Sequence, residues 1–314
     1  MVIQALKSLL VRLGPTHWTV RRVLALRARQ RGFCLRFAKD KILVQDRSRE
    51  MVLSLEQFVQ VPTMLAAYDE FFDVFVAETV GERARLDFSE PRLQRYAKSG
   101  VAFYFPSIPE EGQLDAYTHH YVPKSGDVVW DAGAHAGATT YFLSKLVGEE
   151  GTVYAFEPDE RNYVYLLRNI ELHGLRNVIP VKKALAATSG TARFNMDGTM
   201  CAGLSEYLIY REDRFDVTVE TLSLPDACAS LGHVPAYVKM DIEGAEVAVI
   251  QGAQEFLTQH SIRFAIESFH QLDGEYTFRP LEALFGSIGY SVESSDHFGQ
   301  MFTWAEPRDG AARG

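Results

Sequence analysis

From residue 126 onward, short apolar runs alternate with segments of helical periodicity. The runs at 128–130, 153–156 and 237–240 have the length and apolar character of strands that are buried on both faces. The segments after the first two runs repeat apolar positions every three or four residues, which predicts helices over about 139–147 and 160–173. This alternation predicts an α/β fold in which helices cover both faces of a mostly parallel sheet.

The first 125 residues follow a less regular pattern. Apolar positions recur at helical spacing over 2–13, and a second, basic helix is predicted over about 19–30. Two short strands are predicted around a turn at 39–40, and residues 63–78 are predicted to form one apolar helix. Together these elements predict a small mixed α/β appendage.

We therefore predict two parts and a tail. Residues 1–125 form the appendage, residues 126–305 form the domain that carries the chemistry, and residues 306–314 form a flexible tail. Within the domain, residues 187–196 predict a local hairpin with its turn at 189–190. No uninterrupted apolar stretch reaches about 18 residues, so a membrane-spanning helix is not expected.

Charge is divided unevenly between these parts. Residues 1–49 contain 12 Lys and Arg against two Asp, a net charge of +10, and the rest of the chain carries a net charge of −19. The acidic body argues against a nucleic-acid partner, because phosphate binding needs a positive surface. Residues 1–49, which we call the basic arm, have two open interpretations. The basic arm is either a peripheral contact with an anionic membrane or acidic partner, or an ordinary helical appendage with solvated or paired charges.

The cysteines indicate a reducing compartment. Cys34, Cys201 and Cys228 are odd in number and far apart, so neither a disulfide framework nor a Cys-rich metal site is predicted. The first 15 residues lack a signal-peptide cleavage site, and Lys7 interrupts their apolar stretch. We expect a cytoplasmic location, with contact at the inner membrane face if the basic arm is an anchor.

A glycine-rich turn follows the first buried strand. Asp131, Gly133, His135 and Gly137 stand at alternate positions there, and open parallel sheets bind ligands at the carboxyl ends of their strands. The spacing differs from the G-x-G-x-x-G of dinucleotide sites. The leading carboxylate would repel a pyrophosphate but attract a cation, such as the ammonium and sulfonium groups of S-adenosylmethionine. The alternative is an ordinary turn in which Asp131 is a local cap.

Two further strands also end in acids. Glu157 follows the second strand, where an acid can accept hydrogen bonds from both ribose hydroxyls. Pro158 turns the chain away, and Asp159 can cap the next helix. Asp241 ends a strand that we expect beside the first one, where cofactor and substrate should meet. It could orient a methyl donor, ligate a cation or help to deprotonate an acceptor.

Taken together, these segments resemble the FkbM family of S-adenosylmethionine-dependent methyltransferases. The resemblance covers about residues 126–305 and is carried by VVWDAGAHAGATT, AFEPDERNYVYLLRNIELHG, KKALAATSGTARF and VKMDIEGAEVAVIQGA. The D-I-E-G-A-E block is its most specific part, although Glu243 and Glu246 are also explained by the dipole of the following helix. The resemblance implies a Rossmann-like class I methyltransferase fold, with a seven-stranded sheet whose last strand is antiparallel.

The resemblance also implies binding residues. Those expected to bind S-adenosyl-L-methionine are Asp131, Gly133, His135, Gly137, Glu157, Pro158, Ala184 and Asp241. Asp131 and its glycines would contact the methionine part, Glu157 the ribose, and Ala184 would lie near the adenine. The family often has Asn where this chain has His135 and Lys183.

Methyl transfer to an alcohol needs a base beside the acceptor. The predicted catalytic residues are Asp241, Glu267 and His270, of which the last two end or closely follow one strand. The pair at 119–120 supplies further histidines, with solvated loop residues as the alternative. Asp241, Glu267 and His270 are also metal-ligand types, but no ligand spacing demands an ion, and no metal is predicted.

These observations predict an S-adenosylmethionine-dependent O-methyltransferase. The resemblance implies an acceptor hydroxyl on a sugar, glycan or natural product. The alternative is a non-catalytic nucleoside-binding protein that keeps the fold and serves regulation or assembly. A nicotinamide dehydrogenase is disfavoured because the chain lacks G-x-G-x-x-G at the first turn. The sequence carries no indication of oligomeric state.

Overall fold

A computed structural model gives the architecture of the chain. It describes residues 13–109, 114–195, 203–204, 216–272, 274–297 and 299–308. The chain divides into two compact units, Met1–Glu111 and Gly112–Gly314, whereas the sequence placed the boundary at 125. Nearly all of the helix predicted over 2–13 and most of the predicted tail lie outside the described residues. No helix within the described ranges is long and apolar enough to cross a membrane.

The first unit has three described α-helices around a five-stranded sheet. The helices are α1 (Trp18–Gln30), α2 (Val61–Ala66) and α3 (Tyr68–Val74), with a 3-10 turn at Glu56–Gln60. The strands are β1 (Cys34–Ala38), β2 (Lys41–Gln45), β3 (Arg49–Ser54), β4 (Glu78–Val80), β5 (Arg83–Asp87), β6 (Arg92–Arg95) and β7 (Ala102–Phe105). The sheet has the order β1-β2-β3-β5-β4, and β6 pairs with β7.

Helix α1 confirms the predicted basic helix. The His17 imidazole caps it by accepting the backbone N–H of Thr19. Val20, Leu24 and Ala28 are buried at four-residue spacing, which forms the apolar stripe of an amphipathic helix. Trp18 is 64% exposed. Membrane contact through the basic arm stays a prediction.

The prediction of one helix over 63–78 is wrong. The helix breaks at Ala67, and at Phe75 the backbone becomes extended. Phe75 forms a bridge with Tyr96 and packs on Phe71 and Phe88. This aromatic packing offsets local helix propensity, which is a weak preference compared with tertiary contacts.

The second unit alternates strands and helices. Its strands are β8 (Val128–Ala132), β9 (Thr152–Phe156), β10 (Val178–Val181), β11 (Ala184–Leu185), β12 (Gly190–Asn195), β13 (Gly203–Leu204), β14 (Asp216–Leu222), β15 (Tyr237–Met240), β16 (Arg263–Glu267), β17 (Gln271–Leu272), β18 (Glu275–Tyr276), β19 (Tyr290–His297) and β20 (Gln300–Pro307). Its helices are α4 (Leu114–Tyr117), α5 (Ala138–Val147), α6 (Glu160–Leu172), α7 (Leu224–Leu231), α8 (Glu246–Gly252), α9 (Gln254–Gln259) and α10 (Phe278–Ser287).

The main sheet has seven strands in the order β10-β9-β8-β15-β16-β20-β19. All neighbours from β10 to β16 are parallel, and β20 runs antiparallel to both of its neighbours. The predicted α/β fold, the seven strands and the antiparallel last strand are therefore confirmed. The order reverses beside β8, and the carboxyl ends of β8, β9, β15 and β16 meet at one edge, where such sheets bind ligands.

The prediction of a local hairpin over 187–196 is wrong. Strand β14 lies between β11 and β12 in a small sheet of order β11-β14-β12-β13, so the two flanking strands do not pair with each other. The Ser189 hydroxyl accepts the backbone N–H of Ser223, which ties the predicted turn to the end of β14. Six of the seven residues of the alternating strand β14 pair with β12, a more extensive pairing than a short hairpin provides.

Candidate active site

The first strand end holds a buried ion pair. Asp131 is fully buried, and the Lys239 ammonium lies 3.1 Å from its Oδ1 atom. Thr140 donates a hydrogen bond of 2.6 Å to Oδ2 of Asp131, and Lys239 donates one of 2.8 Å to the carbonyl oxygen of Gly133. The Asp131 carboxylate is thus already balanced by a cation of the protein. This weakens the argument that its charge attracts a cationic ligand.

Two glycines of the turn are explained by close packing. A Cβ atom on Gly133 would overlap the carbonyl oxygen of Asp241, and one on Gly137 would lie 2.6 Å from Cδ1 of Leu166. Both glycines also have positive φ, +78° and +86°, which favours glycine. The turn after β8 therefore lies directly against the chain that leaves β15.

Glu157 is held at the end of β9 by backbone donors. The N–H of His135 donates to its Oε2 atom, and the N–H of Asp159 donates to its Oε1 atom, each at 2.8 Å. Burial, opposed by the nearby His135 side chain, raises the pKa of Glu157 to about 8. Asp159 accepts the backbone N–H groups of Arg161 and Asn162. The predicted helix cap at Asp159 is therefore confirmed.

A cleft opens where these strand ends meet. It contains about 390 Å³ of empty space, part of it open solvent. Its lining residues are Gly133, Phe156, Glu157, Pro158, Lys183, Ala184, Leu185, Phe194, Asp241, Ile242 and Ala245. The structure thus brings together five of the eight predicted cofactor-binding residues: Gly133, Glu157, Pro158, Ala184 and Asp241.

The other three predicted cofactor-binding residues lie outside this lining. Asp131 is paired with Lys239, and His135 is buried with a backbone φ of +48°. Gly137 precedes α5 and faces Leu166. Their direct contact with a cofactor stays a prediction, whereas the structure shows them shaping the turn behind Glu157.

A second group of side chains surrounds His270, which follows β16. The Nε2 atom of His270 lies 3.4 Å from Oε2 of Glu243, and its Nδ1 atom lies 3.3 Å from Oε1 of Glu246. Burial acts to lower the pKa of His270, but the carboxylates of Glu246 and Glu243 outweigh it and place the pKa well above its ordinary value. Sequence reasoning explained these two acids by the helix dipole and did not predict their contact with His270.

Glu246 does stabilise the start of α8, as the sequence suggested. Its Oε1 atom accepts the backbone N–H groups of Ile242 and Gly244, at 3.0 and 3.2 Å. The side chain is fully buried. The same carboxylate therefore fixes the turn after β15 and faces the imidazole of His270.

Glu267 and Asp241 face each other across neighbouring strand ends. Burial and then the Asp241 carboxylate raise the pKa of Glu267 well above its ordinary value. The Tyr117 hydroxyl donates to Oε2 of Glu267 at 3.3 Å. The three predicted catalytic residues, Asp241, Glu267 and His270, are thus brought together at the edge that also forms the cleft.

The two remaining histidine candidates lie elsewhere. His119 and His120 pack on Trp304. His120 also lines a pocket with Tyr237 and Arg263, which are the first residues of β15 and β16. This is the amino edge of the sheet, opposite the Asp241 edge, so the structure does not bring this pair to the cleft.

The strand order and the cleft at its reversal define a class I methyltransferase fold. The sequence profile of the methyltransferase FkbM domain matches residues 131–292, just over half of the chain. The chain therefore belongs to the FkbM methyltransferase family.

Known relatives match parts of the chain. The hexuronic acid methyltransferase AglP of Haloferax volcanii is 29% identical over 146 residues, which cover 46% of this chain and 56% of AglP. A probable cobalt-precorrin-6B C(15)-methyltransferase (decarboxylating) of Saccharolobus solfataricus is 34% identical over 84 residues, 26% of this chain and 42% of that protein. The chain thus spans about half the length of the curated relatives that it matches.

Solved structures show a distant likeness. Methyltransferase FkbM from Methylobacillus flagellatus is 17% identical with a TM-score of 0.46, over 60% of this chain and 45% of that chain. Fibrillarin from Aeropyrum pernix, which was solved with S-adenosyl-L-methionine, is 16% identical with a TM-score of 0.40, over 85% of this chain and 94% of that chain.

Proposed function

We propose that this chain transfers a methyl group from S-adenosyl-L-methionine to a hydroxyl oxygen of a sugar, glycan or natural product. The observation that carries the proposal is the position of Asp241. It lines the cleft together with Glu157, and it faces Glu267 in a group of acids that we call the acid cluster: Asp241, Glu243, Glu246 and Glu267. A carboxylate suited to bind ribose hydroxyls, Glu157, and a candidate base, Asp241, therefore lie at the same edge of the sheet.

The cleft fits the proposed cofactor. Glu157 uses one lone pair of each oxygen for a backbone N–H, and a carboxylate offers about four such positions, so two remain for ribose hydroxyls. Ala184, Phe194 and Ile242 give the cleft an apolar wall suited to an adenine ring. When bound, S-adenosyl-L-methionine supplies an electrophilic methyl group on a sulfonium.

The residues of the chain then position the acceptor and accept its proton. Asp241 is the base that we assign, because it belongs both to the cleft and to the acid cluster. Glu267, whose pKa is raised by burial and by the Asp241 carboxylate, faces it and accepts a hydrogen bond from the Tyr117 hydroxyl. Glu243 and Glu246 hold the His270 ring beside them. Catalysis on this view depends mainly on orientation and on one proton transfer.

The same cluster favours a neutral acceptor. AglP is named for methylation of a hexuronic acid, and a sugar of that class offers both hydroxyls and a carboxylate. With no cation bound, Asp241 and Glu243 would repel an acceptor carboxylate that approached them. We therefore place the new methyl group on a hydroxyl, as an ether, rather than on a carboxylate, as an ester.

Transfer of a labelled methyl group tests this proposal. Purified protein is incubated with labelled S-adenosyl-L-methionine and with neutral sugars, hexuronic acids and cell-extract glycans in parallel. We expect label in a product that survives mild alkali, because ethers are stable to alkali and methyl esters are hydrolysed. Alkali-labile label would instead indicate a carboxylate acceptor. Cofactor binding without transfer to any acceptor would favour the non-catalytic alternative.

The cofactor site has a separate test that needs no acceptor. Above pH 8, where Glu157 is ionised, we expect Glu157→Gln to weaken S-adenosyl-L-methionine binding by about 10–100-fold, because a hydrogen bond to a charged group contributes about 1.5–3 kcal/mol. Titration calorimetry measures this directly. Glu171→Gln, which changes an exposed residue of α6, is the matched control and should bind like wild type. Equal affinity in all three proteins would contradict the role of Glu157.

The pH dependence of binding follows from the same residue. The pKa of Glu157 is about 8, so below pH 8 the carboxyl group holds a proton that must leave before both oxygens can accept ribose hydroxyls. Affinity should therefore rise by roughly tenfold per pH unit towards pH 8 and then level off. The Glu157→Gln variant should lack this rise. A rise of the same size in the variant would assign it to another group.

A further inference from the structure

Three potential ligand atoms converge beside the cleft. One oxygen each of Asp241 and Glu243 and one ring nitrogen of His270 all lie within 4.8 Å of one another. Two neighbouring strands bring them together, since the acids follow β15 and the histidine follows β16. Ligands at about 2.1 Å from a shared ion are separated by about 3 Å when adjacent and about 4.2 Å when opposite. The observed spacing needs only a small contraction to meet these values.

His270 supplies an independent indication of a ligand. Its side chain is only 9% exposed, and both ring nitrogens face carboxylate oxygens, but neither nitrogen forms a hydrogen bond of good geometry with any residue that the structure describes. Buried polar atoms that lack well-formed hydrogen bonds are uncommon in native proteins. Its Nε2 atom is 3.4 Å from Glu243, a separation that suits two adjacent ligands of one ion.

Glu246 is placed to orient the histidine. A histidine that binds a metal commonly directs its other ring nitrogen to a carboxylate, which fixes the ring. Here the Nδ1 atom lies 3.3 Å from Oε1 of Glu246, and that oxygen is itself fixed by the N–H groups of Ile242 and Gly244. The carboxylate therefore holds the ring so that Nε2 faces Glu243.

The backbone at Glu243 is strained in a way that suits ligand binding. Glu243 has a φ of +58°, a conformation that is unfavourable for a residue with a side chain and occurs often at ligand clamps. Gly244 follows with a φ of +103°. This turn after β15 directs the Glu243 carboxylate towards His270.

We propose that Asp241, Glu243 and His270 bind one divalent cation. Two carboxylates and one imidazole form an oxygen-rich set that suits Mg²⁺ or Mn²⁺ better than a thiolate-preferring ion. Three protein ligands leave positions open for water or substrate. A cation there would polarise an acceptor hydroxyl held at the cleft, and the oxygen of Asp241 that does not bind the ion would remain available to accept the proton. That role rests on the proposed function, whereas binding of the ion does not.

Binding of Mn²⁺ alone tests the site. Electron paramagnetic resonance of free Mn²⁺, titrated with the full chain, should show about one bound ion per chain. We expect Glu243→Gln and His270→Asn each to weaken this binding by at least about tenfold, because each removes a ligand. The matched control is Glu293→Gln, which alters an exposed carboxylate 3.7 Å from His120 and should bind Mn²⁺ like wild type.

Two outcomes would overturn the proposal. One is wild-type protein that binds no Mn²⁺ at millimolar concentration, and the other is binding in both ligand variants with wild-type affinity. Circular dichroism shows whether each variant is folded. Mn²⁺ should also raise the Tm of the wild type, which depends on no variant. S-adenosyl-L-methionine binding is measured on the same metal-free protein, so loss of the cation site is distinguished from failure of the proposed function.

Discussion

Replacement of Lys239 by Met is expected to lower the free energy of unfolding by about 3–5 kcal/mol, because it leaves a buried carboxylate without its cation. Lys239 is 2% exposed, and Asp131 is fully buried. The two residues are direct partners on adjacent strands β15 and β8, and the Lys239 ammonium also lies 5.3 Å from the centre of the Tyr117 ring. Urea denaturation of the second unit measures the loss.

Two further variants isolate the cause. Lys182→Met removes an exposed ion pair with Glu160 and should cost no more than about 1 kcal/mol. Adding Asp131→Asn to Lys239→Met removes the uncompensated charge and should recover part of the lost stability. If Lys239→Met cost no more than Lys182→Met, the buried pair would not have the importance that we assign to it.

The same pair shows what the sequence could predict and what it could not. The acids at 131, 157 and 241 each follow a short apolar run, and parallel strands place their carboxyl ends at one edge. Their convergence was therefore predictable. The pairing of Asp131 with Lys239 was harder to predict, because it depends on the register between β8 and β15. A lysine in an otherwise apolar strand was nevertheless a usable indication, since a buried charge needs a partner.

Other features depend on contacts that local patterns do not specify. Glu243 and Glu246 fit the helix dipole, so nothing local indicated His270, which is more than 20 residues away in sequence. The small sheet places β14 between β11 and β12, a choice between long-range pairings that periodicity does not determine. The amino-edge position of His119 and His120 likewise follows from the fold and not from residue type.

Replacement of Gly133 by Ala is expected to reduce both the stability of the chain and its cofactor binding more than a substitution at any exposed position. The added Cβ atom would overlap the carbonyl oxygen of Asp241, and the residue would also have to keep a φ of +78°. Backbone atoms cannot give way as a flexible side chain can, so the turn after β8 and the chain after β15 must move apart. We expect a stability loss of at least about 3 kcal/mol and loss of S-adenosyl-L-methionine binding.

Gly174→Ala is the matched control for this substitution. Gly174 has a similar φ of +59°, but nothing lies within 4 Å of the position that its Cβ would occupy. The free energy of unfolding of this variant should therefore fall by only about 1–2 kcal/mol, the cost of a left-handed backbone at Ala. The variant should bind the cofactor normally. Denaturant unfolding and titration calorimetry on both variants separate backbone strain from steric overlap. If both variants lost the same stability and the same cofactor affinity, the close contact between Gly133 and Asp241 would not be what holds the turn after β8 against the chain after β15.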